Sequence, residues 1–556
     1  MSVRFTDLHE EATGFGPVNH TGIPGDKQWI AEAMGGGAIL LDHDGDGDQD
    51  ILFVDGNVVA RPKDPGARTR LYRNDGKLRF TEVTREAGID ITGVGYGGAA
   101  ADYDGDGDAD AFVGVLGRNH LLRNNGDGTF TDVAAAAGVE GDEREMSTAC
   151  AWADFDGDGR LDLYVANYLD MMKVVDDFRA VGRPGRSCDW RGFKVYCGPK
   201  MLPYQKDRLY LQTADGVFRD ATENLRGQAA RPTFQPVAAD FDGDGDMDVF
   251  AANDTEPHHF WVNDGKGVFT DEGMIAGCAV NADVKPQAGM GVDVSDYDHD
   301  GLLDLTITNF SHDYNTVFRN QSKARASGGR RPAFEDVTVR VGVNLPTFVS
   351  LCWAAHFTDF DNDGDRDLFY AAGHVFGEID NFAASGTTYR QRNLLLENLG
   401  GTSPVFADVG DEAGPGFRAE DVHRGGGQAD LDDDGDMDFV VAVLNGKAYI
   451  LRNDGGNANA WIRFTLRGDW KRSPRDPAGA LVRVEAEGLL PQTDVLHHGD
   501  SFCSSSDPRL LFGLGSAAKA SRVLVTWPSG AKSEYRDLDA RAHWLLEEGV
   551  PEAKKL

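Results

Sequence analysis

The stretch LLDHDGDGDQDILFVDG, residues 40–56, decides the fold. Its centre is a nine-residue phrase with Asp at positions 1, 3, 5 and 9 and Gly at position 6, and a run of β-forming residues follows. The phrase returns seven times. Its aspartates are Asp42, Asp44, Asp46 and Asp50; Asp102, Asp104, Asp106 and Asp110; Asp154, Asp156, Asp158 and Asp162; Asp240, Asp242, Asp244 and Asp248; Asp296, Asp298, Asp300 and Asp304; Asp359, Asp361, Asp363 and Asp367; and Asp430, Asp432, Asp434 and Asp438. Position 7 varies freely, from Asp48 to Arg160 to Leu302.

That pattern is the chemistry of a calcium loop. Side-chain oxygens alternate at positions 1, 3 and 5, a glycine makes the sharp turn, and a backbone carbonyl serves at position 7, where the side chain is irrelevant. Mg²⁺ prefers one or two carboxylates with retained water, and Zn²⁺ prefers His or Cys. Plain acidic turns without metal would leave four carboxylates repelling one another. The 28 aspartates are therefore expected to hold about seven Ca²⁺ ions, mainly structural. A helix-loop-helix loop would need Glu at position 12, where Phe53 and Val113 stand. Instead each loop feeds a strand, as in ILFV after Asp50 and FVVAV after Asp438.

Two further signatures travel with the loops. A second strand ends near Asn, as at Asn74, Asn124, Asn263, Asn320, Asn398 and Asn453, with Gln212 in the third unit. A Phe-x-Asp/Glu triplet precedes each loop, beginning with Phe5-Thr-Asp7 and ending with Phe406-Ala-Asp408. Loop starts lie 52 to 86 residues apart, longer than the ~40–50 residues of a four-stranded propeller blade, so several units carry insertions. The expected fold is all-β: a seven-bladed β-propeller over residues 1–456, its ring closed by the N-terminal strand, with a small β-sandwich at 457–556. A linear solenoid would need short glycine repeats that are absent. The small residues before the loops (GGGAI at 35–39, GGAAA at 97–101, GMGV at 289–292, GGGQA at 425–429) mark the innermost strands, where blades crowd the axis.

The net charge of −36 disfavours nucleic-acid and anionic-membrane partners. No apolar run approaches the ~20 residues of a membrane span, and MSVRFTDLHEE has no signal core. These features place the chain as written in the cytoplasm, or outside the cell if its start is a processed one. Of six cysteines, Cys188 and Cys197 are near enough to pair, and whether they do is left open; Cys150, Cys278, Cys352 and Cys503 read as buried thiols.

After Asn453 the pattern changes to GALVRVEAEG (479–488), FGLG (512–515) and VTWPSG (525–530). These motifs resemble the ASPIC/UnbV domain, and the loops resemble the FG-GAP/VCBS repeats of integrin-type propellers. Together, and with CGP at 197–199, QAGMGVDVSDYDHDG at 287–301 and Gly373-His374, they resemble the cartilage acidic protein family and its bacterial relatives over essentially the whole chain. Met201 departs from the glycine usual there. The resemblance implies a calcium-binding protein with adhesive or matrix-type roles.

Chemistry other than metal binding belongs where the units differ. The segments after each post-loop strand emerge on one face, and they gather Asp254, Glu256, His258, His259, His312, Asp313, Tyr314, His374, Glu378 and Asp380. His374, Glu378, His312, Asp313, Glu256 and His258 are the candidates for general acid and base over an axial pocket. No Gly-x-Ser-x-Gly, HExxH or nucleotide loop is present. His497 and His498 read as surface residues, and Ser504, Ser505 and Ser506 as structural. The first reading is a calcium-binding scaffold that takes a protein or small-molecule ligand on the loop-rich face. The alternative is a calcium-stabilised enzyme without organic cofactor, a cyclase or bond-forming catalyst with its pocket on that face.

Overall fold

The computed structural model describes the chain except residues 1–2, 24, 57–58, 60–66, 215 and 325–329. It is all-β in character. Each Asp phrase is the connection between the first and second strands of an antiparallel sheet, because Asp at position 9 opens the second strand in every copy. In the second unit these strands are Gly95–Ala101, Asp110–Val115, His120–Asn124 and Phe130–Asp132. Seven sheets of this order are present among the described residues, the fourth carrying an extra parallel strand, Leu225–Arg226.

The seventh sheet takes its outer strand from the other end of the chain. Arg4–Leu8 pairs antiparallel with Tyr449–Asp454, with Phe5 opposite Asn453, which is the closure that the leading Phe-Thr-Asp triplet implied. Neighbouring inner strands are stitched together in turn: Gly37 N–H donates to the Tyr96 carbonyl (2.8 Å), Thr148 Oγ1 to Thr233 (3.0 Å), Thr308 Oγ1 to Trp353 (2.6 Å) and Gln428 Nε2 to Phe357 (2.9 Å). Alternate residues of adjacent sheets meet as separate apolar clusters, such as Phe5, Phe369, Phe417 and Phe439 between the sixth and seventh.

Position 9 has a second use that its ligand reading omits. Asp110 takes the Asn124 N–H on Oδ1 (2.7 Å) and the Tyr103 N–H on Oδ2 (3.2 Å), so it ties loop, second strand and third strand together. Asp50, Asp162, Asp304, Asp367 and Asp438 do the same in their units.

Beyond Asp454 the chain forms two more four-stranded sheets, one centred on Ala460–Arg467 and one on Leu481–Ala486 and Lys519–Thr526. Their inward residues, among them Ile462, Phe464, Val482, Phe512, Val523 and Trp527, share one core that continues onto Met247 and Trp152 of the repeat sheets.

This C-terminal unit sits on the face that carries the Asp loops. Arg509 Nη1 donates to the Gly47 carbonyl (2.8 Å), Arg475 Nη1 to Asp106 (3.1 Å), and Arg463 Nη1 lies 3.0 Å from Asp430 Oδ2. From there residues 497–506 run into the axis of the ring. Ser501 bridges Val292, Ser505 bridges Ile39, and Cys503 N–H donates to Gln235 Oε1 (2.9 Å). The glycine-rich inner strands are thus small for a definite reason: a Cβ on Gly97 would lie 2.0 Å from the Cys503 carbonyl oxygen, and one on Gly291 would lie 2.7 Å from that of Ser501. His498, expected at the surface, is buried beside this axial loop, and His497, also expected there, is only slightly exposed; Ser504, read as structural, is buried within the loop.

Candidate functional site

The Asp loops have a common geometry. Their position-6 glycines all have positive φ, from 83° at Gly301 to 108° at Gly107, which a side chain would strain. The turn aims that glycine's N–H back at the first carboxylate, as from Gly47 to Asp42 (3.0 Å), Gly159 to Asp154 (2.8 Å) and Gly435 to Asp430 (3.0 Å). Remaining oxygens converge: donor atoms of Asp42, Asp44 and Asp46, of Asp102, Asp104 and Asp110, and of Asp154, Asp156 and Asp162 lie within 4.8 Å of one another in each group.

Several of these oxygens are buried without a hydrogen-bond partner, including Asp102 Oδ1, Asp156 Oδ1, Asp296 Oδ1 and Asp432 Oδ1. Burial first, and neighbouring charge second, push Asp102 and Asp296 up to about 7. Burial is also the largest influence on Asp42, held at about 6. Partnerless carboxylate oxygens facing one another fit a hard divalent cation, and the donor set fits Ca²⁺.

On the opposite face lies an apolar cavity of about 450 Å³. Its walls include Trp190, Phe234, Met290, Phe310, Trp353 and Phe376, and its polar groups include Asp254, Asp313, Ser311 and Lys200. The axial loop braces it from behind: the Phe502 ring packs 4.7 Å from Trp353 and 5.3 Å from Phe234. One wall comes from the third unit's long insertion, pinned by a Cys188–Cys197 disulfide, while the other four cysteines are free and buried. Around this face stand exposed apolar side chains, among them Met201 (97% exposed) and Leu345 (80%).

The candidates on this face do not converge on one point. His374 is fully buried behind the cavity wall, its Nδ1 accepting the Phe376 N–H (3.1 Å) and its Nε2 facing Ser311 Oγ (3.3 Å). Nδ1 also lies 3.2 Å from the Phe376 carbonyl, and burial drives the imidazole down to about 3, so the ring is neutral at physiological pH. His258 is likewise buried, accepts the Asn253 N–H (3.1 Å) and is held at about 3 by burial. His312 meets the Ser385 carbonyl (2.6 Å), Glu256 accepts from Tyr204 Oη (3.1 Å), and Glu378 pairs with Arg186 in a separate recess. Asp313, bonded to Gln287 Nε2 (2.7 Å), does line the cavity.

The polar group best placed for chemistry there is Asp254. Tyr168 Oη donates to it (2.6 Å), and burial lifts its carboxyl to about 6. The aromatic walls were not singled out from the sequence; Trp353 and Phe234 each stand second in an inner strand, Cys352–Thr358 and Thr233–Ala239.

The comparisons agree with the motifs. Residues 42–113, 102–165, 201–251 and 240–307 match the FG-GAP-like repeat, and residues 470–553 match ASPIC and UnbV. Cartilage acidic protein 1 of Mus musculus is 26% identical over 391 residues, covering 69% of this chain and 51% of that protein. The Homo sapiens protein of the same name is 25% identical over 393 residues, covering 69% and 50%. This chain therefore spans about half the length of the curated relatives it matches. Among solved structures, an Agrocybe aegerita lectin that recognises non-reducing terminal N-acetylglucosamine aligns over 72% of this chain and 82% of its own, at 16% identity and a TM-score of 0.38. A likeness at that score carries no argument.

Proposed function

We propose that this chain, which carries FG-GAP-like repeats and an ASPIC and UnbV domain and is similar to cartilage acidic protein 1, is a calcium-stabilised seven-bladed β-propeller that acts as an interaction module. The propeller spans residues 1–456 and the second domain, a β-sandwich, residues 457–556. Seven Asp loops, seven sheets of one strand order and the pairing of Arg4–Leu8 with Tyr449–Asp454 support that architecture. The 28 loop aspartates hold the calcium.

The observation that carries the functional reading is the aromatic cavity of about 450 Å³ on the face opposite the loops. A cavity of that size and lining suits a small molecule or a protein segment presenting an apolar group. The C-terminal unit covers the calcium-loop face, which leaves the loop-rich face for a partner. A Cys188–Cys197 disulfide beside the cavity favours an oxidising, extracellular-type compartment over the cytoplasm expected from residues 1–11. Among the described residues no helix is long and apolar enough to cross a membrane.

The test is binding of 8-anilinonaphthalene-1-sulfonate, an apolar fluorescent probe. Ala288 lines the cavity, and Ala288→Trp should reduce probe affinity at least tenfold while leaving the melting temperature within a few degrees. Unchanged probe binding by a folded A288W protein would remove the cavity from the account.

A second reading rests on Asp254. A carboxyl near 6 in an apolar cavity, beside Tyr168, has the protonation behaviour of a general acid-base, and bond-forming catalysis on a bound apolar substrate would use it. The two readings share the cavity and differ in whether Asp254→Asn abolishes turnover or leaves binding as the only activity.

A further inference from the structure

A second kind of metal centre is built where the axial loop meets the fifth and sixth sheets. Asp293 lies in Val292–Ser295, His356 in Cys352–Thr358 and Asp500 in the axial loop, and their donor atoms are within 4.8 Å of one another. All three side chains are almost fully buried. His497 approaches from the rim, with Nε2 3.5 Å from Asp293 Oδ1. Asp293, His497 and Asp500 also border a void of about 50 Å³, room for a single ion with a water.

The hydrogen bonds around this cluster fix its donors. His356 Nε2 faces the Gly426 carbonyl at 3.1 Å, and a carbonyl can only accept, so that nitrogen carries the proton. In the neutral ring the lone pair is then on Nδ1, which has no hydrogen-bond partner and points at Asp500 Oδ2, 3.4 Å away. Two lone-pair bearers do not face each other in a dry interior unless a proton or a cation lies between them. The carboxylates are oriented from behind. Asp293 accepts from the Val294 N–H (2.8 Å) and the Phe357 N–H (2.7 Å), and Asp500 from the Ser506 N–H (2.8 Å) and Oγ (2.6 Å). Orientation of ligands by outer hydrogen bonds, with the second imidazole nitrogen on a carbonyl, is how protein metal sites are assembled.

We propose that Asp293, His356 and Asp500, with His497 as the fourth donor, bind one divalent transition-metal ion of the Zn²⁺ class. Imidazole in the donor set selects such ions over Ca²⁺, so this centre differs chemically from the all-oxygen loops. It joins one residue of each of two sheets to the loop that fills the axis, so the ion would fasten the C-terminal unit to the ring.

The test uses metal-free full-length protein reloaded with saturating Ca²⁺ and titrated with Co²⁺, whose visible d–d bands strengthen and shift when the ion leaves its all-oxygen aqua shell for a low-coordinate site with imidazole donors. One equivalent should bind, be displaced by Zn²⁺, and be lost in His356→Ala. His497→Ala, at the more accessible rim, should bind at least tenfold more weakly; it keeps the test decisive if His356→Ala fails to fold. His43 with Asp44 and Asp50 is another imidazole-carboxylate group, and the bands should persist in His43→Ala. Absence of the bands in the native protein, or equal Co²⁺ uptake by native protein and the folded His497→Ala variant, would overturn the assignment.

Discussion

Asn74 Nδ2 donates to the carbonyl of Leu431, 2.9 Å away and 357 positions further along the chain. Leu431 is the second residue of the seventh Asp loop, and Asn74 ends the third strand of the first sheet. The same clasp recurs around the ring. Asn124 reaches His43 (2.9 Å), Gln212 reaches Tyr103 (3.0 Å), Asn263 reaches Phe155 (2.8 Å), Asn320 reaches Phe241 (2.9 Å), Asn398 reaches Tyr297 (3.3 Å) and Asn453 reaches Phe360 (2.7 Å). Each unit therefore grips the Asp loop of its predecessor, and the first grips the last. Loop geometry and ring closure are mechanically one system.

Removing one clasp should be costly out of proportion to its size. Asn124 Nδ2 also bonds Ala109 O (3.3 Å), so Asn124→Ala leaves two carbonyls short of a donor. The expected loss is about 2–3 kcal/mol in urea unfolding. A change below about 0.5 kcal/mol, the scale of an ordinary surface substitution, would show that the clasp is incidental.

The axial loop makes a separate prediction. Gly97→Ala would push a methyl into the Cys503 carbonyl, at a cost of about 1–3 kcal/mol from overpacking. Cys503 is fully buried, so its thiol should resist a disulfide reagent in the native protein and become reactive in the folded Gly97→Ala variant, as peptide mapping would report. Equal protection in both would mean that the axis tolerates the methyl.

Asp254 sets a pH dependence. Its carboxyl is raised to about 6 from an ordinary 3.8, so between those values the folded protein binds more protons than the unfolded chain. Its contribution to stability is therefore present at low pH and lost as pH rises through 6. Asp254→Asn removes the buried charge and should gain up to about 3 kcal/mol at pH 8 relative to pH 4. A native-minus-variant difference that stays flat across that range would contradict the burial of a charged Asp254.

The sequence made some of this legible and hid the rest for physical reasons. The Asp phrase, the strand after it and the triplet ending at Asp7 are local patterns, and local patterns survive translation into structure: the second strand of each sheet begins at position 9, and Phe5 pairs with Asn453. The strand-end Asn was visible as a marker, but its side chain acts on a neighbouring unit, and nothing in a single repeat indicates that direction. The glycine runs gave the inner strands correctly. What fills the space they leave is a segment some 70 to 460 residues later, around Cys503, and a loop threading an axis has no periodicity to betray its burial. His258, His312 and His374 were grouped because their segments share a face. Their partners, however, are nearby backbone groups and, for His374, the Ser311 hydroxyl, which only coordinates reveal.

The cavity and the disulfide are linked by position, since Cys188 and Trp190 both line it. Reduction of Cys188–Cys197 should lower probe affinity several-fold by freeing that wall, with little change in the ring's own melting transition. Full probe affinity after verified reduction would detach the disulfide from ligand binding.

The most direct test of the whole account is thermal melting with and without calcium. Seven loops of converging carboxylates, each tied into a sheet and clasped by the next, make the ion part of the folding free energy. Protein stripped with EGTA and verified metal-free should melt more than about 10 °C lower than the calcium-loaded form and recover on addition of Ca²⁺ but not of an equal concentration of Mg²⁺. An unchanged melting curve on the metal-free sample would contradict structural calcium and, with it, the central claim.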